Sequence, residues 1–129
     1  MVVNCSMSVF STFWILDSGA GAHICIMNLD DLERSRKLGE REVMINVGSG
    51  HCVMAIYMRS TSIHLYSGHV LVLEDCLVLP NGLKNIVFVP VLVRKGYVLK
   101  FGEPIYNIYL GNELVGNAYL FNRSYYLNV

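Results

Sequence analysis

The feature that most constrains the fold is a series of short apolar runs that turn-forming residues interrupt about every ten residues. The runs are rich in Val, Ile, Tyr, Phe and Trp, which favour strands. Many short strands with regular turns are typical of a small β-barrel, and we expect one here. The turn-forming residues between the runs are Gly48–Gly50, Ser67-Gly68, Pro80–Gly82 and Gly111-Asn112.

The pattern predicts mainly strands. Only Asn28–Lys37 and Leu83–Lys95 look helical, and Pro90 disfavours an unbroken helix in the second segment. The predicted strands are Met7–Leu16, Val43–Val47, Cys52–Met58, Ser62–Leu65, His69–Val72, Asp75–Leu79, Tyr97–Phe101, Ile105–Leu110, Glu113–Val115 and Ala118–Phe121.

The composition indicates one globular domain. The chain has 129 residues, of which 53% are hydrophobic and 16% charged, against about 25% charged in typical domains, so disorder is excluded. The formal net charge is zero, which argues against binding nucleic acid by neutralising phosphates. No uncharged stretch reaches the roughly 18 residues that a membrane span needs. The mean hydropathy of +0.43 is high for a monomer, and we expect a partner, most simply a second copy.

The cysteines do not form a metal-binding pattern. They stand at positions 5, 25, 52 and 76, with no C-x-x-C pair and no histidine at zinc-ligand spacing. The first residues lack the basic region and the cleavage site of a signal peptide. We therefore predict free and mostly buried thiols in a reducing compartment, and neither a metal nor a cofactor.

The sharpest chemical feature is the carboxylate that follows the apolar run Phe13–Leu16. Such a strand is buried and delivers Asp17 to the edge of a core, where a lone carboxylate is costly. Gly19 allows a tight turn there. A second carboxylate beside Asp17 would share one proton with it, which is the chemistry of aspartic proteases. On these residues alone, an aspartate that caps a turn is the simpler interpretation.

Only one Asp-Ser-Gly sequence occurs, so a protease would need a symmetric dimer with two copies of Asp17 at its axis. Further motifs follow in order: VGSG at residues 47–50, LVLEDCLVLPNGL at 71–83, KNIVFVPVLVRKGY at 84–97 and GNAYL at 116–120. With WILDSGAGAH at residues 14–23, this ordered set resembles the proteases of copia-type retrotransposons, a branch of the retropepsins with the signature W-I-L-D-S-G-A-x-x-H. The resemblance covers roughly residues 13–129.

The resemblance implies an all-β closed barrel of the acid-protease (retropepsin) type with one short helix, active as a homodimer. It makes Asp17 the catalytic residue. It further implies that Ser18 and Gly19 complete the loop that joins the protomers and that Ala20 lines the cleft. By the same resemblance, His23 orients the chain after the loop. Asn85 and Ile86 would begin a helix that supports the loop.

The uncharged segment 43–58 predicts a β-hairpin with a mobile Gly-Ser-Gly tip. In the family that the chain resembles, a flap of this kind closes over the peptide, which would put Val47, Gly48, Ser49 and Gly50 against the substrate. Taken alone, the segment fits an ordinary core hairpin equally well. We expect a single domain over residues 1–129, with an N-terminal strand or extension at 1–12 and a C-terminal β extension at 102–129 suited to a dimer interface.

The resemblance implies hydrolysis of the element's own Gag-Pol polyprotein by a water held between two Asp17 carboxylates, at mildly acid pH. The expected partners are a second copy and the peptide substrate, without nucleic acid or membrane, in the cytoplasm within a virus-like particle. Phe88 and Pro90 depart from the family's pattern where the helix should support the loop. A decayed barrel that dimerises or binds peptide without cleaving it is therefore the alternative. A monomeric β-domain with an incidental Asp-Ser-Gly is a third.

Overall fold

The computed structural model describes residues 13–19, 21–26, 36–39, 42–46, 52–79, 84–102 and 104–129. Within these ranges the chain is mostly β-strand with one short helix, so the predicted all-β class is confirmed. The elements are β1 (Trp14–Asp17), β2 (Ile24–Ile26), β3 (Arg36–Lys37), β4 (Met44–Asn46), β5 (Cys52–Met54), β6 (Tyr57–His64), β7 (Val70–Leu79), β8 (Asn85–Phe88), α1 (Val89–Arg94), β9 (Tyr97–Lys100), β10 (Ile105–Leu110), β11 (Glu113–Phe121) and β12 (Ser124–Leu127).

One large sheet organises the described part of the chain. Its strand order is β3-β6-β7-β2-β8-β1-β12-β11-β10-β9, and β4 pairs separately with β5. Strand β1 runs parallel to β8 and antiparallel to β12, so both of its edges are paired. The register with β8 places Asp17 opposite Phe88. The strand that carries the candidate catalytic residue therefore lies in the interior of the sheet.

Distant strands of the sheet meet at the turn between β6 and β7. The hydroxyl of Ser67 in this turn donates a hydrogen bond to the carbonyl of Val115 in β11. The imidazole Nε2 of His69 lies 2.9 Å from the hydroxyl of Tyr97 in β9. These contacts join β6 and β7 to strands at the other end of the strand order, so the sheet curls around a core as a barrel does.

Alternate residues of the strands enter two apolar clusters. In β2, for example, the neighbours Ile24 and Cys25 belong to different clusters, as the two-residue period of a strand requires. The larger cluster contains Cys25, Ile63, Leu65, Leu71, Leu73, Cys76, Val78, Val87, Leu92, Tyr97, Ile108, Val115, Ala118 and Leu127. The smaller cluster contains Ile24, Leu38, Ala55, Leu77 and Leu79, with Val43, Ile45 and Ile86 among the residues packed against it.

Strand β7 contains a bulge that separates two of the predicted strands. Its pairing with β6 passes from Leu73 to Cys76 while the partner passes only from Thr61 to Arg59, so β7 has one extra residue. The bulge is accommodated at Asp75, whose φ of 55° lies in the left-handed region. Because of the bulge, Leu73 and Cys76 both enter the larger cluster. The segments predicted as His69–Val72 and Asp75–Leu79 are thus one bent strand.

The prediction of a helix over Leu83–Lys95 is wrong for its first part. Residues Asn85–Phe88 form β8, and the helix α1 covers only Val89–Arg94. The Asn-Ile-Val-Phe sequence alternates between buried and half-buried side chains, as a strand does. Asn85 and Ile86 therefore lie in a strand beside β1 and do not begin a helix. Pro90 lies in the first turn of α1, where its missing N–H breaks no helical bond.

The sequence analysis did not predict β12. A two-residue turn joins it to β11, since Phe121 pairs directly with Ser124. The turn residues Asn122 and Arg123 have φ of 48° and 69°, which are the left-handed values of a type I′ turn. Such turns usually carry glycine at the second position, and arginine there hides the signal. Strand β11 was likewise predicted as two strands, with a break at Gly116 and Asn117 that the structure does not have. The missing side chain of Gly116 makes room for Leu65, whose Cδ1 lies 2.7 Å from where a Cβ would stand.

Several predictions fall partly outside the described residues. These are the N-terminal residues 1–12 and most of Asn28–Lys37, whose last two residues form the strand β3. Cys25 and Cys76 are buried thiols that form no disulfide bond, as predicted. A hydrogen bond that the Cys76 S–H donates to Cys25, together with burial, raises the pKa of the Cys76 thiol. In the described part of the chain no helix has the length and apolar character needed to cross a membrane.

The C-terminal extension is part of the barrel. Strand β12 pairs with β1, and Ile108, Val115 and Leu127 of this extension are almost completely buried in the larger cluster. Loss of each large buried side chain costs about 2–5 kcal/mol. The folded state of a typical domain is stabilised by only about 5–15 kcal/mol. The extension is therefore too large a share of the core to be dispensable.

We expect deletion of residues 102–129 to unfold the domain, because β1 would lose its antiparallel partner and the larger cluster would open. Circular dichroism during thermal and urea unfolding measures this directly. Removal of Val129 alone, which is 47% exposed, is the control and should leave the transition unchanged. A cooperative transition in the shortened chain would show that the barrel closes without its last three strands.

Candidate functional site

The carboxylate of Asp17 stands at the end of the central strand β1. Its Oδ1 accepts a hydrogen bond from the backbone N–H of Gly19 at 2.7 Å. The Asp17 side chain is half-buried, and Ser18 and Gly19 are exposed. This bond closes an Asx turn that fixes the carboxylate at the edge of the core. The geometry fits the turn-capping interpretation, and it also holds a carboxylate within reach of solvent.

The histidine that follows this loop joins three strands. His23 is 2% exposed and directly precedes β2. Its Nδ1 accepts the backbone N–H of Phe88 at 2.9 Å, and its carbonyl accepts the N–H of Leu77 at 2.9 Å. Phe88 is the residue opposite Asp17 in the β1–β8 register. These contacts support the predicted role of His23 in orienting the chain after the loop, which stays a prediction.

The contacts of His23 require a neutral ring. Nδ1 accepts a hydrogen bond, so the ring proton lies on Nε2, which is buried without a hydrogen-bond partner. Burial lowers the pKa of His23 below its ordinary value of 6.5, and the nearby positive charge of Lys95 lowers it further. Protonation of Nδ1 would break the bond to Phe88 and place a charge in the interior.

The two residues predicted to support the loop lie in strand β8, directly beside β1, and their supporting role stays a prediction. The Nδ2 of Asn85, a buried side chain, donates to the carbonyl of Phe13 at 3.2 Å. Asn85 thereby ties the start of β8 to the residue before β1, while His23 binds the end of β8. Ile86 lies opposite Ile15 and packs against the smaller cluster. Strand β8 is thus fastened at both ends beside the strand that carries Asp17.

Part of the predicted site lies outside the described residues, namely Ala20 and the tip residues Val47, Gly48, Ser49 and Gly50. The strands on either side of this tip are described. Strands β4 and β5 pair antiparallel from Met44 opposite Met54 to Asn46 opposite Cys52. The two strands of the predicted hairpin thus pair at its base, but the predicted strand Cys52–Met58 ends at Met54, because Tyr57 and Met58 belong to β6 and pair with β7. The action of the hairpin as a flap stays a prediction.

A cleft of about 500 Å³ opens beside the loop, on the face of β1 opposite to Asp17. Leu16 and Ser18 form its β1 side. The sequence analysis missed its other residues, because they come from distant segments that share no motif. They are Val89 and Val93 of α1, Tyr97, Val98 and Leu99 of β9, Tyr106 of β10 and Tyr125 of β12. Within the described ranges, no three His, Cys, Asp or Glu side chains are grouped to hold a metal ion.

Comparison with known families gives one match. The family model described as "Pol polyprotein, beta-barrel domain" matches residues 14–97, which are 84 of the 129 residues. The matched range begins with β1, includes the β1–β8 pair and α1, and ends at the first residue of β9. No curated protein and no solved structure matches the chain.

We expect the pH dependence of stability to reveal the neutral state of His23. Since its folded-state pKa lies below 6.5, the stabilisation is complete above about pH 6.5 and is lost as the pH falls toward the folded-state pKa. In this window the free energy of unfolding of the parent should fall by up to about 1.4 kcal/mol per pH unit because His23 becomes protonated. The substitution His23→Asn keeps an oxygen acceptor for the N–H of Phe88 and removes the titrating group. The free energy of unfolding of this variant should therefore change less with pH than that of the parent.

Urea unfolding followed by circular dichroism between pH 7.5 and 4.5 measures both slopes. His64→Asn is the matched control, because His64 is exposed on β6 and its replacement should leave the slope unchanged. Equal slopes in the parent and in His23→Asn would contradict a neutral, buried His23.

Proposed function

The chain belongs to the family of Pol polyprotein beta-barrel domains, and we propose that it acts as the aspartic protease of a retroelement polyprotein. The observation that carries the proposal is the carboxylate of Asp17, half-buried at the end of the central strand and bonded to the N–H of Gly19. The substrate would be the element's own Gag-Pol polyprotein, processed in the cytoplasm within a virus-like particle.

The proposed reaction needs two carboxylates, and each chain supplies one. In a homodimer the two copies of Asp17 would lie about 3 Å apart and share one proton. The ionised carboxylate takes a proton from a water molecule, which attacks the carbonyl carbon of the scissile peptide bond. The protonated carboxyl donates its proton to the carbonyl oxygen as the tetrahedral intermediate forms. When this intermediate collapses, the carbonyl forms again, the C–N bond breaks, and the leaving amine takes the proton that the first carboxylate accepted from water. The bond from Gly19 would keep the Asp17 carboxylate oriented throughout.

The surface beside the loop supports a second copy as the partner. Ser18 lines the apolar cleft and directly follows Asp17, so a partner whose own loop meets this one at the end of β1 would lie beside the cleft as well. Val93 and Val98 at the cleft are 54% and 49% exposed. In the part of the chain that the structure describes, strand β9 is last in the sheet order and is paired only with β10, whereas β12 is paired on both sides. The region around α1 and β9 is thus better suited to the dimer than the C-terminal strand.

The alternative of a decayed barrel without activity rests mainly on Phe88 and Pro90. Pro90 lies in the first turn of α1, and the backbone of Phe88 is held by His23. Neither residue interrupts the elements beside Asp17, so we favour the active protease.

We expect Asp17→Asn to lower the cleavage rate by at least about 10²–10⁴-fold while leaving the fold intact, because an amide cannot act as the general base. Cleavage of a peptide library, followed by mass spectrometry from pH 4 to 8 with and without pepstatin, measures the rate. Activity should fall as the pH rises and both carboxylates ionise. Asp75→Asn is the control, since Asp75 is an exposed carboxylate in the β7 bulge and asparagine tolerates its positive φ. Undiminished cleavage by Asp17→Asn would rule out the mechanism.

We expect Val98→Glu to weaken the dimer by tenfold or more, because a carboxylate buried in an apolar interface is costly. Sedimentation equilibrium of Asp17→Asn protein, with and without Val98→Glu, measures association without self-cleavage. Val70→Glu is the matched control, since Val70 is a 40% exposed strand residue outside the cleft. A dimer that tolerates Val98→Glu would place the interface elsewhere.

A further inference from the structure

The sheet formed by β9–β12 carries a row of polar side chains on its outward side. Asn107 pairs directly with Lys100 of β9 and with Asn117 of β11. Directly paired residues point to the same face of a sheet. Ile108 and Ala118, which follow the two asparagines along their strands, are almost completely buried. Because neighbours along a strand point to opposite faces, the polar row lies on the solvent side of the sheet.

Two tyrosines flank this polar row on the same face. Tyr109 lies two residues after Asn107 in β10, and Tyr119 lies two residues after Asn117 in the antiparallel strand β11, so the rings stand on opposite sides of the row. The Tyr119 side chain is 42% exposed, and the ammonium of Lys100 lies 4.9 Å from the centroid of the Tyr109 ring. We define the outer face by these five residues: Lys100, Asn107, Tyr109, Asn117 and Tyr119.

The outer face has the chemical groups that recognise unpaired bases. Aromatic rings stack on bases of every kind, side-chain amides offer donors and acceptors to base edges, and an ammonium can meet a phosphate. A four-stranded antiparallel sheet with aromatic side chains on one face is a surface on which single-stranded RNA is bound. Strands β9–β12 form such a sheet, with the order β12-β11-β10-β9.

The charge on the outer face suits a phosphate. In the described strands β9–β12, Lys100 is the one charged side chain that points to this face. The carboxylate of Glu113 does not, because Glu113 belongs to the row of the buried Tyr97 and points to the other side of the sheet. Within these strands the outer face therefore has one cation and no carboxylate that would repel a nucleic acid.

The outer face is separate from the candidate catalytic site. Tyr119 pairs with Tyr126, which pairs with Ile15 of β1. Asp17 lies beyond this row on the side away from the asparagines, so four residues, or roughly 13 Å along the strand direction, separate its level in the sheet from that of Asn117. All five residues of the outer face lie beyond residue 97, where the family match ends.

We propose that the outer face binds single-stranded nucleic acid by stacking bases on Tyr109 and Tyr119. This function goes beyond the proposed protease and does not require it. The zero net charge argues against binding through many phosphates, but stacking needs few charges. With Lys100 as the phosphate contact, the logarithm of the association constant should fall against the logarithm of the salt concentration with a slope of only about −0.7.

Fluorescence anisotropy of the full chain with a labelled twelve-nucleotide oligouridylate measures this binding. Tyr119→Ala should weaken the binding about tenfold because one stacking ring is lost, whereas Tyr119→Phe should keep it because the ring remains. Phe101→Ala is the matched control and should bind like the parent. Phe101 is a 65% exposed ring that contacts Tyr106 and Tyr125 on the other face of the same sheet. Circular dichroism shows whether each variant is folded.

The salt dependence tests the role of the single cation. Lys100→Gln should weaken the binding severalfold and bring the salt slope close to zero. Lys37→Gln is the matched control, since Lys37 is exposed on β3 at the other end of the strand order, and it should leave the slope unchanged. A duplex of the same length should bind at least about tenfold more weakly than the single strand, because its bases are already stacked and paired.

The sugar of the oligonucleotide distinguishes the two sources of single strands. Tighter binding of oligouridylate than of oligodeoxyuridylate assigns RNA, because only the ribose offers a 2′-hydroxyl. Equal binding of the two supports stacking on single strands with either sugar.

Three results would overturn the proposal. The first is binding that folded Tyr119→Ala protein retains in full. The second is equal binding of duplex and single strand with a steep salt slope, which would indicate contact with phosphates alone. The third is the absence of oligonucleotide binding together with weaker self-association of Tyr119→Ala in sedimentation, which would make the outer face a contact between copies. None of these measurements depends on cleavage, so the proposed protease function stands or fails separately.

Discussion

The parallel pairing of β1 with β8 is the constraint on which the rest of the structure depends. Two buried polar side chains hold β8 in place: Asn85 binds the carbonyl of Phe13 at one end, and His23 binds the N–H of Phe88 at the other. Each of these bonds joins segments more than sixty residues apart in the sequence. Because an unsatisfied buried polar group is costly, a shift of the register would lose both bonds at once. The position of Asp17 is therefore tied to polar contacts in its surroundings as well as to apolar packing.

The alternation of β1 divides the residues beside the loop between two faces of one strand. Leu16 and Ser18 line the apolar cleft, whereas Ile15 and Asp17 point to the face that carries Ile86 of β8. A dimer that brings two copies of Asp17 together must therefore form around the loop at the end of β1, where residues of both faces come close. The high mean hydropathy agrees with this arrangement, since both faces keep exposed apolar side chains near the loop.

Most strands with clear turn residues at their ends were predictable, and the exceptions have physical causes. Strand Asn85–Phe88 was taken for helix because four residues show too little periodicity to separate the two structures. Strand Ser124–Leu127 was missed because Arg123 occupies a left-handed turn position where glycine is usual. In the candidate site, Asp17, His23 and Asn85 could be singled out from motifs. The tyrosines of the cleft could not, since their neighbours are set by sheet pairing between distant segments.

The sequence by itself determined the all-β class, the single Asp-Ser-Gly loop after a strand, and the need for a second carboxylate in any protease of this kind. These follow from local properties: side-chain shape, alternation and the number of carboxylates in the motif. The strand before the loop was predicted to be buried, whereas all four residues of β1 are half-buried. Only the tertiary structure decided that Pro90 begins a helix, that His23 must be neutral, and that β12 covers the second edge of β1. Each of these depends on which backbone groups find hydrogen-bond partners far along the chain, and local sequence does not contain that information.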